Sequence, residues 1–254
     1  MWQRFFLFNL LLLTTSALMA QQFIKEGEDQ PEDTEFYEPK VEKIDPGADG
    51  APPSDATVLF GGNDLSNWES VEDGSAAAWT VEDGHFTVKP GEGDIQTKEN
   101  FGSFQLHIEW RSPQEIEGEG QGRGNSGIFL QGMYEVQVLD SYESETYVNG
   151  QAGSIYKQSP PLVNATRPPS EWEVYDIIYT APKFDERSHA MIEPPYVTVL
   201  HNGIVVQNHT RIQGTTEYIG PPQWRAHGDG PIKLQDHSNP VSYRNIWIRP
   251  LNSN

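Results

Sequence analysis

Phe104-Gln105-Leu106-His107-Ile108-Glu109-Trp110-Arg111 alternates strictly between apolar and polar side chains. Successive residues of an extended chain point to opposite faces. Phe104, Leu106, Ile108 and Trp110 therefore form one apolar face, and Gln105, His107, Glu109 and Arg111 form a polar one. The same period continues outward from this stretch. In Tyr134-Glu135-Val136-Gln137-Val138-Leu139-Asp140, Val136 and Val138 alternate with Glu135 and Gln137. Apolar runs at 197–200 and 204–206 flank His201-Asn202-Gly203, and Asn-Gly is the strongest short hairpin signal. A second hairpin is expected around Glu82-Asp83-Gly84 within 79–88, with further strands at 126–131, 172–180, 231–235 and 243–249. Beyond the N-terminal segment no stretch keeps a helical period. Ten or more short strands joined by turns predict one all-β domain over 56–254, an antiparallel β-sandwich or barrel without internal repeats.

Composition agrees. The chain has 254 residues, a length that supports a single large core. Lys and Arg number 17 against 37 Asp and Glu, a net charge of −20. Such a surface repels phosphate backbones, so nucleic acid is excluded as a partner. The first twenty residues form a separate segment: Arg4 is a positive start, 5–13 an apolar run, and Ala17-Leu18-Met19-Ala20 a small-residue end. This pattern predicts a signal peptide cleaved after Ala20 and an exported protein, periplasmic or secreted. The apolar run is shorter than the roughly 20 residues of a spanning helix, so no stable membrane anchor is expected. With no cysteine, neither disulfides nor a lipidated thiol are available. Residues 21–55 carry eleven acidic residues against three Lys and no periodicity, which reads as a flexible acidic leader.

Chemistry belongs on the polar faces of the central strands, which brings Glu109, Glu135 and Gln137 into view. Glu135 and Gln137 share one face, and Asp140 joins them only across a bulge. The spacing is similar to the carboxylate strand of sandwich glucanases, but by itself it fits an ordinary solvated strand face better. Lys233, Gln235 and His237 share a face opposite Ile232 and Leu234. His237 beside Asp236 is either a proton-transfer pair near neutral pH or the end of a surface turn. Seven His without H-x-H or H-x-x-x-H spacing indicate no zinc site. The glycine-rich stretch 118–127 precedes a strand rather than a helix, so it is not a phosphate loop. It reads instead as a mobile loop beside a binding face, with Arg123 and Asn125 as sugar contacts. Tyr156, Trp172, Tyr175 and Trp224 suit either core packing or stacking on sugar rings.

Several stretches together resemble the 3-keto-disaccharide hydrolase family, also described as 3-keto-glucoside 1,2-lyase and 3-keto-2-hydroxy-glucal hydratase domains. Val58-Leu59-Phe60-Gly61-Gly62-Asn63-Asp64-Leu65-Ser66-Asn67-Trp68 is similar to its opening segment. Asn125–Leu130, Tyr134–Asp140, Trp172–Ile177, Gly230–His237 and Tyr243–Arg249 follow in order. The resemblance implies a concanavalin A-like jelly roll that acts on sugars oxidised at C3, supplied by a separate oxidoreductase. Two positions depart from the pattern: Lys157, where a small residue is expected, and Ser238, where Gly usually follows Gln-Asp-His.

A ketone at C3 acidifies the C2 proton, so a base can remove it and the C1 substituent leaves by β-elimination. Adding water to the resulting glucal completes hydrolysis. On this scheme His237 is the base, tuned by Asp236 or Glu135, and Glu135 exchanging roles with it is a close alternative. Gln137, Gln235 and Arg123 are expected as donors to the enolate and ring oxygens. Asn125, Glu109, Asp140, Tyr156 and Lys157 are expected as further substrate contacts. No cofactor is called for, although a divalent cation held partly by substrate oxygens stays open. Two other classes fit the same fold: a non-catalytic carbohydrate-binding module, and a direct glycosidase using Glu135 and Asp140.

Overall fold

The computed structural model describes residues 30–48 and 50–251. The expected signal peptide, the beginning of the leader, Asp49 and the last three residues lie outside the described residues. Two compact units are present, Met1–Lys43 and Ile44–Asn254. In the first, a single 3₁₀ turn spans Pro31–Thr34, and the Asp33 carboxylate accepts the Gln30 N–H at 3.1 Å.

The second unit contains strands β1 (Thr57–Phe60), β2 (Trp68–Ser70), β3 (Thr80–Glu82), β4 (His85–Thr87), β5 (Ile95–Thr97) and β6 (Phe104–Arg111). They are followed by β7 (Ser126–Leu130), β8 (Tyr134–Val138), β9 (Glu173–Thr180), β10 (Lys183–Phe184) and β11 (Met191–Glu193). β12 (Tyr196–His201), β13 (Ile204–Arg211), β14 (Lys233–Leu234) and β15 (Ser242–Pro250) complete the set. An eight-stranded sheet runs β13-β12-β9-β6-β15-β4-β3, with β1 also on β15; a five-stranded sheet runs β2-β5-β14-β7-β8. Every named strand pairing is antiparallel. The molecule is an antiparallel β-sandwich of the jelly-roll kind. Among the described residues there is no α-helix.

Both expected hairpins form where the turn chemistry placed them. Asn202 and Gly203 have φ of 52° and 79°, and Asp83 and Gly84 have φ of 45° and 79°. Positive φ at both central residues matches the right-handed twist of the flanking strands. β1, β2, β5, β10 and β11 are not foreseen in the sequence; they are two to four residues long, too short for alternation to register.

Phe104, Leu106, Ile108 and Trp110 are fully buried between the sheets, as their alternation requires. Three buried tyrosines of the eight-stranded sheet reach across this core and donate to the other sheet. Tyr175 bonds the Gln137 carbonyl at 2.9 Å, Tyr179 the Gln131 Oε1 at 2.8 Å, and Tyr243 the Ser126 Oγ at 2.7 Å. Ser126 passes its own proton to the Gln235 carbonyl at 2.7 Å. These bonds fix the lateral position of β7 and β8 over the core.

The compact unit begins at Ile44, so the end of the expected leader belongs with the sandwich. The Gly50 carbonyl accepts from Asn245 Nδ2 and Trp247 Nε1, each at 3.0 Å, and Asp55 pairs with Arg249.

Replacing Tyr179 with Phe leaves Gln131 Oε1 buried without a donor and should cost about 1–3 kcal/mol. Tyr175→Phe should cost less, about 1 kcal/mol, because the Gln137 carbonyl keeps its bond from the Gly153 N–H. Urea denaturation of both variants measures the difference; equal losses would mean the orphaned acceptor is not what matters.

Candidate functional site

A cleft of about 690 Å³ opens on the face of the five-stranded sheet turned away from the core. Strand pairing sets its floor. Lys233 of β14 lies opposite Phe129 of β7, which lies opposite Glu135 of β8. Two pairs further along, on the same face, Gly127 lies opposite Gln137, and the Gln235 N–H bonds the Gly127 carbonyl at 3.1 Å. A Cβ on Gly127 would come within 2.6 Å of Glu135 Oε1, so the glycine leaves the space in which that carboxylate lies.

The free edge of β8 is closed by the chain at 153–156. Gln137 N–H bonds the Ser154 carbonyl at 3.0 Å, and Tyr156 N–H bonds the Glu135 carbonyl at 3.1 Å. Thr216 Oγ accepts the Glu135 N–H at 3.0 Å and brings a second loop to the rim. This enclosure overturns the solvated-face alternative: Glu135 is 4% exposed and Gln137 0%.

Burial has a chemical consequence. Loss of water pushes the Glu135 carboxyl up to about 8; Lys233 opposes the rise and Asp94 adds to it. Lys233 is itself engaged, paired with Asp94 Oδ2 at 3.0 Å and lying 3.8 Å above the Phe129 ring. Among the described residues no protein donor bonds the Glu135 carboxylate. Beside it, Gln137 donates to Gln121 Oε1 at 3.2 Å and to Asn125 Oδ1 at 3.3 Å, while its own Oε1 is buried without a partner. Asn125 is held in turn by a 2.6 Å bond to the Gln121 carbonyl.

Of the residues expected at the site, Glu135, Gln137, Asn125, Tyr156, Lys157, Gln235 and His237 all line this cleft. Four do not, and each is held by a partner elsewhere. Asp236 turns away from His237: its Oδ2 accepts the Gly91 and Gly93 N–H groups at 2.7 and 3.1 Å, and its Oδ1 accepts that of Ser238 at 2.9 Å. It caps a loop and does not tune His237, which is exposed on the rim. Arg123 and Asp140 pair with each other at 2.7 Å, and Arg123 also donates to the Tyr142 carbonyl. Neither reaches the cleft, so Glu135 and Asp140 are not a carboxylate pair across a sugar.

Glu109 lies on the outer face of the other sheet, accepting from Arg244 at 2.6 Å and Asn245 at 2.8 Å. Burial there would raise its carboxyl, but bonds from His107, Asn245 and Arg244 outweigh it and hold the group at about 2. The other aromatics divide similarly. Tyr175 is core, Trp172 lies under the Arg111 and Arg244 guanidinium groups at 4.6 and 4.1 Å, and Trp224 packs near Tyr134.

The glycine-rich stretch is tied down: Gln121 bonds Thr146 Oγ at 3.1 Å and the Gly150 carbonyl at 2.9 Å. Gln121, Phe129, Tyr147, Thr216 and Tyr218 also line the cleft and were not foreseen. Phe129 was readable once β7 and β8 were paired, because it lies directly opposite Glu135; the others come from loops without periodicity. Lys157 and Ser238, the two departures from the family pattern, both have left-handed backbone, with φ of 56° and 63°. Glycine adopts that region freely and other residues at a cost, which accounts for a small residue or glycine being expected at each. Among the described residues no cluster of three or more His, Asp or Glu is arranged to hold a metal ion.

The model of the 3-keto-alpha-glucoside-1,2-lyase-like domain family matches residues 55–249. A crystal structure from Parabacteroides distasonis ATCC 8503, described as a "putative glycosyl hydrolase", is 61% identical with a TM-score of 0.84, covering 87% of this chain and 97% of that one. A second protein of that organism, with the same description, shares the fold at 21% identity and a TM-score of 0.56, covering 78% of this chain and 94% of its own. No curated protein matches the chain. With a family match that spans the whole sandwich, the chain belongs to the 3-keto-alpha-glucoside-1,2-lyase-like domain family.

Proposed function

We propose that this protein is an exported carbohydrate-active enzyme that cleaves 3-keto-glycosides, and that Glu135 is the base which removes the C2 proton. The observation that carries this reading is a carboxyl pushed up to about 8 on the floor of a cleft, with no protein donor to satisfy it. A C–H beside a ketone is a weak acid, and a base is most effective when its pKa lies near the working pH. Glu135 takes the C2 proton and the electron pair forms an enolate at C3. The C1–O bond then breaks at the open rim beside His237, and solvent supplies the proton to the leaving oxygen. Adding water at C1 of the 2-hydroxy-glucal-3-ketone gives net hydrolysis. The Asn125 and Gln235 amides supply hydrogen bonds to the sugar. The oxidised substrate comes from a separate oxidoreductase, since nothing in the scheme creates the ketone.

A direct glycosidase is disfavoured because, among the described residues, Glu135 is the single carboxylate lining the cleft. A binding module without catalysis would have no use for a carboxyl held near 8.

The decisive comparison is aglycone release from a chromogenic 3-keto-glucoside and from its unoxidised parent, against an enzyme-free control. Release from the keto form alone is expected; release from both would return the glycosidase, and from neither the binding module. Glu135→Gln should lower kcat/KM by roughly 10²–10⁴-fold, the usual contribution of a positioned base. Because the active form is ionised and the pKa is raised, the rate should climb with pH towards about 8 and then level off. A profile already flat from pH 6 would exclude Glu135 as the base. Gly127→Ala should displace the same carboxylate and reduce kcat more than KM.

A further inference from the structure

The floor and the mouth of the cleft differ in what they ask of a ligand. On the floor, Gln137 Oε1 is buried without a donor, and its amide nitrogen is already committed to Gln121 and Asn125. Glu135 lies on this same floor, so on the cleavage reading the sugar's C2 is held at that end. The leaving group must then extend towards the mouth, where the exposed side chains Tyr147 and Tyr218 stand.

Lys157 occupies this mouth and, among the described residues, is the single Lys or Arg that lines the cleft. Its Nζ donates to the Tyr218 carbonyl at 2.6 Å and lies 4.2 Å from the Tyr218 ring centre, 5.6 Å from that of Tyr156 and 5.8 Å from that of Tyr147. Among the described residues no carboxylate pairs with it. An ammonium has three donors, and one carbonyl uses one of them. The residue also keeps a left-handed backbone, φ 56°, anchored by its N–H on the Asn149 carbonyl at 2.8 Å. Non-glycine residues in that region concentrate at functional sites.

Resting on the cleavage reading above, we infer that Lys157, Tyr147, Tyr156 and Tyr218 form a leaving-group subsite for an aromatic aglycone that carries a carboxylate. The rings supply the faces on which a planar group stacks, and the ammonium supplies the unpaired charge that selects an acid.

The test separates this subsite from the chemistry by measuring binding as well as turnover. Binding of 4-hydroxybenzoate and its methyl ester is followed by NMR titration of the full chain. Turnover is measured on the 3-keto-glucosides of the same two phenols. The parent should favour the acid roughly tenfold over the ester in both assays, as one charge-assisted bond allows. Lys157→Met should bring that ratio to near one, whatever its absolute rate, and Lys157→Arg should retain a preference. An acid-to-ester ratio near one in the parent's binding overturns the subsite, as does a ratio unchanged in Lys157→Met. Selective binding without turnover of either keto-glucoside would sustain the subsite and refute the catalytic reading instead.

Discussion

The cleft depends on three tyrosine hydroxyls that cross the core. Tyr175, Tyr179 and Tyr243 belong to the eight-stranded sheet, yet each spends its proton on a group of β7, β8 or the turn between them. A sandwich core held only by apolar contact tolerates sliding of one sheet over the other, because burial has no direction. A buried hydrogen bond does have direction, and losing it leaves an unsatisfied polar atom. Gln137 is tied through its carbonyl, and Gln235 through Ser126, so the site's floor is registered against the opposite sheet.

Once the floor is fixed, the loops decide its chemistry. The chain at 153–156 and the loop carrying Thr216 close the free edge of β8 and take Glu135 and Gln137 out of water. Without that cover Glu135 would be an ordinary surface carboxylate. With it, the desolvated carboxyl is held near 8 because no guanidinium or backbone N–H group compensates the lost water. Glu109 shows the opposite outcome, since Arg244, Asn245 and His107 surround it and keep it at about 2. Two acids on alternating strands thus reach pKa values far apart through their partners, and only one is left to react.

Lys157 and Ser238 show how a fold accommodates residues that its backbone does not favour. Both positions demand φ near +60°, and each side chain sits in a turn anchored by nearby hydrogen bonds: the Lys157 N–H on Asn149, and the Ser238 N–H on Asp236. The left-handed conformation costs a non-glycine residue about 1–2 kcal/mol. At Lys157 that cost places a cation at the mouth of an otherwise uncharged wall.

Much of the architecture was legible in the residues alone. The alternation of Phe104–Arg111, the turns at Asp83-Gly84 and Asn202-Gly203, and the shared face of Glu135 and Gln137 are all local patterns, and local sterics enforce them. Seven of the eleven expected site residues meet in one cleft: Glu135 and Gln137 through their shared strand face, and Asn125, Tyr156, Lys157, Gln235 and His237 from the loops beside it. Asp236, Arg123, Asp140 and Glu109 read equally well as site residues until their partners were known. Those partners lie far along the chain, Gly91 and Gly93 for Asp236 and Arg244 for Glu109. Tyr147, Thr216 and Tyr218 escaped notice because loop residues carry no period. The sequence by itself determined which side chains share a strand face, since that follows from the two-residue repeat of an extended backbone. Only the tertiary structure decided which acid stays unpaired and dry, because pairing and desolvation depend on residues brought together from distant parts of the chain.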